Sequence, residues 1–192
     1  FVQMPPTQTN RIERLRYLTE PLAEDLLVVG PIALRFWASI DQEDTNWIVI
    51  LKDIGPDVSV QTGRPGERAL PAGLPERELT RGWLKASCRA LDPARSKPWK
   101  PWHVLGPDSR QPVVAGEVNE YQVEILSTAN LFRRGHRIGL EITSLDLTEG
   151  VAGETAVEYI PNHVCSSRTV LHKIFHNAEY PSHLLLPVIP WS

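Results

Sequence analysis

From Ile32 to Asp41 every second residue is apolar. Ile32, Leu34, Phe36, Ala38 and Ile40 alternate with Arg35, Ser39 and Asp41, the pattern of a half-buried strand. The turn DQEDTN follows. Residues 47–51, WIVIL, are apolar on both faces and rich in β-branched side chains, as in a strand covered on both sides, and Gly55-Pro56-Asp57 stops the run. Another strand is predicted from Trp83 through GWLKASCRAL, with Leu84, Ala86, Cys88 and Ala90 on one face and Lys85, Ser87 and Arg89 on the other. Tyr121, Val123 and Ile125 alternate in the same way. After a turn around Asn130 and Gly135, so do Ile138, Leu140 and Ile142. Thr169 to Phe175 and His183 to Ile189, joined by NAEYPS, are the last candidates. A helical period is visible only in RIERLRYL, residues 11–18, and Pro21 cuts it short.

Seven or eight strands with little helix predict an all-β chain. Its loops are very uneven: 55–81 and 92–116 are long Pro- and Gly-rich crossings, too long for hairpins and suited to Greek-key connections. The expected architecture is a jelly-roll β-sandwich of two antiparallel sheets. A chain of 192 residues fits one domain able to bury a core without staples. Phe1 in place of an initiator Met, and the Pro-flanked Met4, lead to the expectation that 1–13 is a linker, that 14–192 is the domain, and that the whole was cut from something longer.

Composition narrows the function. A formal charge of -3, from 20 basic and 23 acidic side chains, provides no positive field for a phosphate backbone, so nucleic acid is not expected as a partner. A membrane partner is not expected either, since no apolar run approaches the roughly 20 residues of a bilayer span. FVQMPPTQTN lacks the parts of a signal peptide, which favours a cytoplasmic location. Cys88 and Cys165 are 77 positions apart without a CxxC; a buried free thiol is favoured at Cys88, and a bridge between the two stays open. His103, His136, His163, His172, His176 and His183 are scattered. HKIFH at 172–176 has the i, i+4 spacing of a zinc helix, but lacks the adjacent Glu and reads as a strand. Neither a metal nor a cofactor is expected.

Catalytic machinery is equally hard to find. There is no GxSxG, no P-loop and no GxGxxG. Ser182 beside His183 and Ser166 near His163 read as turn hydroxyls. Glu43 and Asp44, or Glu117, Glu120 and Glu124, could form a carboxylate pair across a cleft, but as a sequence they read as solvated turns and strand faces. No catalytic residue is therefore assigned. The tryptophans are the remaining candidates. Trp99 and Trp102 in KPWKPWH could stack on sugars or on bases or pin the long loop to a sheet or to a neighbouring domain. Trp37, on the polar face of its strand, needs something to cover it, and Trp47 could likewise face a partner.

Four ordered motifs carry a resemblance. These are TEPL-x-ED-x-x-x-x-GP at 19–31, GW-L-x-AS-x-R at 82–89, TAN-x-F-x-x-GHR-I at 128–138 and YPSHL-x-LPVIP at 180–190. With their flanking segments they span nearly the whole chain, which resembles the C-terminal domain of the X-Pro dipeptidyl-peptidase and cocaine-esterase (CocE/NonD) family of serine hydrolases. The resemblance implies a jelly roll of the galactose-binding-domain-like kind. It would follow an α/β-hydrolase domain that carries the Ser-Asp-His triad, so the triad would lie upstream of Phe1. The partner implied is that hydrolase domain, with a homo-oligomer also open, and Trp37, Trp99 and Trp102 become candidate interdomain contacts. Cys88 stands where the family often has His, and LTEGVAGETAVEYIPNHV follows ITSLD where a Phe- and Asn-rich loop is common. His136 and Arg137 match the family turn and read as structural, bonding loop carbonyls. The alternative from another class is a free-standing carbohydrate-binding module using Trp99 and Trp102.

Overall fold

The computed structural model describes residues 14–56, 76–144 and 169–190. The linker expected at 1–13, Cys165, Ser166, His163 and the departure at 147–164 lie outside the described residues. Among the described residues nine strands run in chain order: β1 (Leu15–Leu18), β2 (Leu26–Ile40), β3 (Asn46–Ile54), β4 (Glu76–Lys85), β5 (Asn119–Phe132), β6 (Arg137–Thr143), β7 (His172–Phe175), β8 (His183–Leu185) and β9 (Val188–Ile189). All pairings are antiparallel. The sheet follows the order β1-β6-β3-β4-β5-β2-β7, and β8 and β9 also pair with β2.

This single sheet is curled into two facing leaves, as the alternation predicted for a sandwich. One leaf is β1-β6-β3-β4 and the other is β5-β2 with the three short C-terminal strands. They join through one residue pair, Gly82 with Ile125. A Cβ on Gly82 would lie 2.2 Å from the Glu124 carbonyl oxygen, so the seam exists because this position has no side chain. Between the leaves, Phe36 of β2 meets Trp47 of β3 edge-on at 5.1 Å, and Trp47 lies 5.2 Å from Tyr121 of β5. Phe36, Phe132, Trp47 and Tyr121 are fully buried. Each such phenylalanine contributes about 3 kcal/mol of transfer free energy. An exposed ion pair such as Arg35 with Glu120 contributes about 1 kcal/mol at most, so the aromatic centre holds the leaves together. Trp47 faces this core and not a partner.

Several expectations are corrected in detail. The start of the chain is not helical over its described part: Leu15–Leu18 is an edge strand on β6. β2 is longer than its alternating stretch and begins at Leu26, with a register shift between Gly30 and Ile32. Gly30 has φ +130, a conformation disfavoured for other residues, and Pro31 donates no hydrogen bond, so the Gly-Pro pair makes a bulge without ending the strand. β4 begins at Glu76, inside the excursion expected at 55–81, and ends at Lys85. Ala86–Cys88 is a 3-10 turn, which takes Cys88 out of the strand alternation. Cys88 is a free, half-buried thiol. β5 runs on through Asn130 to Phe132, so the turn lies at 133–136.

Candidate functional site

The sandwich has two ends. At one, β3 finishes at Ile54, β4 starts at Glu76 and β6 starts at Arg137. At the other, β3 starts at Asn46, β4 finishes at Lys85 and β2 finishes at Ile40. The Ile54 end carries an open cleft of about 440 Å3 lined by Asp53, Glu76, Arg77, Leu131, Arg133 and His136, with Gly55 and Pro56. His136 Nδ1 lies 2.8 Å from Asp53 Oδ1. Asp53 Oδ2 accepts from Asn130 Nδ2 and from Arg77 Nη2, both at 3.5 Å, and Arg77 also donates to Asn130 Oδ1. Asp53 is buried and His136 half-buried. A His held by a carboxylate is the base-and-orienter half of a hydrolytic triad, but no serine, threonine or cysteine lines this cleft among the described residues. The pair instead binds the end of β3 to the 133–136 turn.

The same end shows what the sequence motifs do. Thr19 N donates to Ile138 O and Ile138 N to Thr19 Oγ1, at 3.1 and 3.0 Å. Leu22 N donates to His136 O and Gly135 N to Leu22 O, at 2.8 and 2.9 Å. Asp25 accepts from Arg134 N at 2.7 Å and Arg133 Nη1 at 2.9 Å. The Arg134 N–H, and after it the Arg133 guanidinium, hold the Asp25 carboxyl below its ordinary range. TEPL-x-ED and GHR-I are therefore two halves of one lock. Arg137 does bond a loop carbonyl, Thr19 O at 2.7 Å. His136 instead places its Nδ1 against the Asp53 carboxylate.

The other candidate residues are dispersed. Ser182 Oγ donates to Phe175 O and accepts from Trp37 N, so its hydroxyl is engaged with backbone groups. His183 Nδ1 sits 2.7 Å from Pro181 O. Asp44 accepts from Ser87 N at 3.0 Å and Ser87 Oγ at 2.7 Å. Burial pushes its carboxyl up, but Ser87 and Lys85 more than offset that, and the net direction is down. Glu120 pairs with Arg35 at 2.8 Å. His172 is bonded to Thr45 Oγ1 at 2.7 Å and lies 4.9 Å from the Trp47 ring. Among the described residues no group of three or more His, Cys, Asp or Glu side chains is arranged to hold a metal ion.

Trp37 is half-buried beneath this chain's own C-terminal segment, 6.4 Å from the Tyr180 ring and with the Arg35 guanidinium 5.1 Å from its centroid. Trp99 is at the tip of the turn closed by Lys97 and Lys100, and both Trp99 and Trp102 are exposed. The Arg95 guanidinium lies 3.6 Å from the Trp102 centroid, so one face of that ring is already occupied. A ring covered in this way is a poor platform for a sugar. Among the described residues none of these three rings contacts another of the three.

One network was not foreseen. Lys52 Nζ lies 2.9 Å from Glu141 and 3.2 Å from Glu76, and Arg16 pairs with Glu76. Lys52 and Glu141 are buried. The signal available was Lys52 extending the WIVIL run, a charge placed inside a strand covered on both faces.

The four motifs thus serve packing and strand registration, and most of the chain takes part. The family described as X-Pro dipeptidyl-peptidase C-terminal non-catalytic domain matches residues 2–185. The chain belongs to this family. Cocaine esterase of Rhodococcus sp. (strain MB1 Bresler) is 26% identical over 185 residues, covering 94% of this chain and 26% of that protein. The chain therefore spans about a quarter of the length of that relative. A CocE/NonD family hydrolase from Staphylococcus aureus matches with a TM-score of 0.68 at 20% identity, over 93% of this chain and 30% of that one. An aminopeptidase from the marine sediment archaeon Thaumarchaeota archaeon matches with a TM-score of 0.60 at 21% identity, over 96% and 27%. At that identity the two structures show a shared fold. The family is non-catalytic by description, and the carbohydrate-module alternative is not favoured.

Proposed function

We propose that this chain is the C-terminal domain of a serine hydrolase that cleaves ester or peptide bonds. It packs on the α/β-hydrolase domain and helps wall the acyl or peptide pocket. The observation that carries this reading is the family match over 2–185 in a chain whose Ser182 and His136, the residues nearest to triad chemistry, are both engaged in holding strands. In the parent enzyme, a serine activated by a His-Asp pair would attack the carbonyl while backbone N–H groups hold the oxyanion. This domain would supply surface and not reacting atoms.

The test compares the full-length parent with the isolated chain on p-nitrophenyl esters. The parent is expected to hydrolyse them and to be silenced by a serine-directed inhibitor, and the isolated chain is expected to be inert. Hydrolysis by the isolated chain that survives the inhibitor would overturn this division of labour.

A further inference from the structure

We propose that β1 is a strap, hinged at Thr19 and held on the edge of β6 by charge, which comes away while the rest of the sandwich stays folded. This goes beyond the proposed function and does not depend on it. β1 buries little. Leu15, Tyr17 and Leu18 are 41%, 38% and 43% exposed, and an apolar side chain stabilises roughly in proportion to the area it removes from water. Among the described residues the strand pairs with β6 alone, over Leu15 to Leu18, and lies at the end of the sheet.

What holds it is a set of charges on the face turned away from the aromatic core. Arg16 pairs with Glu76, and its Nε lies 3.8 Å from Glu141, while Arg14 Nη1 lies 3.7 Å from Glu141. Lys52 Nζ reaches the same two carboxylates at 3.2 and 2.9 Å. Beside them on the ladder, Glu78 and Arg81 pair with each other. Of the three cations paired with Glu76 and Glu141 among the described residues, β1 and the residue before it supply two. Without them Lys52 alone faces two carboxylates, and the buried Glu141 is short of counter-charge. The Debye length falls from about 10 Å at 0.1 M salt to about 3 Å at 1 M, so salt screens these pairs and loosens the strap.

The hinge is set by the bonds that follow. Thr19 N donates to Ile138 O, Leu22 N to His136 O and Gly135 N to Leu22 O, and none of these bonds involves β1. The chain is therefore fixed from Thr19 onward whether or not the strap is seated. Release uncovers the edge of β6 from Gly139 to Ile142, opposite which β1 lies, and an uncovered edge accepts an added strand.

β6 carries its own internal control. Along an antiparallel strand successive backbone N–H groups point to opposite neighbours. Ile138 N and O both bond to Thr19, so the amides of Leu140 and Ile142 point to β1, and those of Gly139 and Glu141 point to β3. The test is residue-resolved hydrogen exchange on the full-length protein at 0.1 and 1 M sodium chloride. The Leu140 and Ile142 amides are expected to exchange about tenfold faster than those of Gly139 and Glu141, with the gap widening at 1 M. Arg16→Gln is expected to speed Leu140 and Ile142 by about fivefold and leave Gly139 and Glu141 unchanged. Glu76→Gln should do the same, and the double variant should add little to either, as for two partners of one pair. Exchange at Leu140 and Ile142 as slow as at their neighbours in 1 M salt would show that β1 does not come away. Fast exchange there that ignores both salt and Arg16→Gln would overturn charge as the fastening.

Discussion

His172 shows how one side chain links packing to solution conditions. Burial between Thr45 and Trp47 holds its pKa below the ordinary 6.5. Below that ordinary value the unfolded chain takes up a proton that the folded chain does not, so acidification favours unfolding. Stability is therefore expected to decline as pH falls through about 6.5, measured as the denaturant midpoint of the chain between pH 7.5 and 5. His172→Gln should flatten this slope, and an unchanged slope would mean that the ring titrates without resistance. Asp44 acts at lower pH and in the same direction. Its carboxyl is held down, so the stability it confers is present above about 3.8 and lost as pH falls through its lower folded value. Neither environment was legible in the sequence. Asp44 reads as a solvated turn residue until the 3-10 turn brings Ser87 against it.

At the scale of strands, two glycines make opposite predictions from similar sequence contexts. A side chain on Gly82 would meet the Glu124 backbone at 2.2 Å, whereas one on Gly139 would meet Ile54 Cδ1 at 2.6 Å. Backbone at a sheet seam cannot move aside, but the end of an isoleucine can. Gly82→Ala is expected to cost about 3 kcal/mol or more, and Gly139→Ala about 1 kcal/mol, in equilibrium unfolding. Similar losses for the two would show that the β4-β5 seam is not under steric control. Strand alternation was readable wherever one face met the core, as in β2 and β5. It misled in β6, where Glu141 alternates with Ile138, Leu140 and Ile142 yet is buried against Lys52. A polar residue on a covered face has the same period as one in water. Removing either partner would leave a buried charge without its counter-charge.

For the whole molecule, the free edge of β2 matters most. It is covered in succession by β7, β8 and β9, and Pro181, Pro187 and Pro190 interrupt that covering segment. Short, proline-broken strands discourage further pairing. A chain ending at Phe175 would expose the β2 edge from Leu27 to Arg35 and the Trp37 ring, and it is expected to self-associate. Light scattering after size-exclusion chromatography reads this, and a monodisperse monomer would count against the edge-covering role. The segment YPSHL-x-LPVIP is legible as a motif, but its task became visible only once β2 was seen to need an edge partner.

The sequence by itself determined the fold class, because alternation with period two admits only strands, and long loops between them require crossings. It also determined the family, through four ordered motifs, and the lack of any recognisable nucleophile motif. Tertiary structure decided which polar residues are buried, since Lys52, Glu141, Asp53 and Asn130 depend on neighbours distant in sequence. It decided that Trp37 lies under its own C-terminal segment and that one face of Trp102 is taken by Arg95. It also decided that His136 binds Asp53 across the end of the sandwich. Pairing partners separated by tens of residues leave no local period, so these contacts exist only in the folded chain.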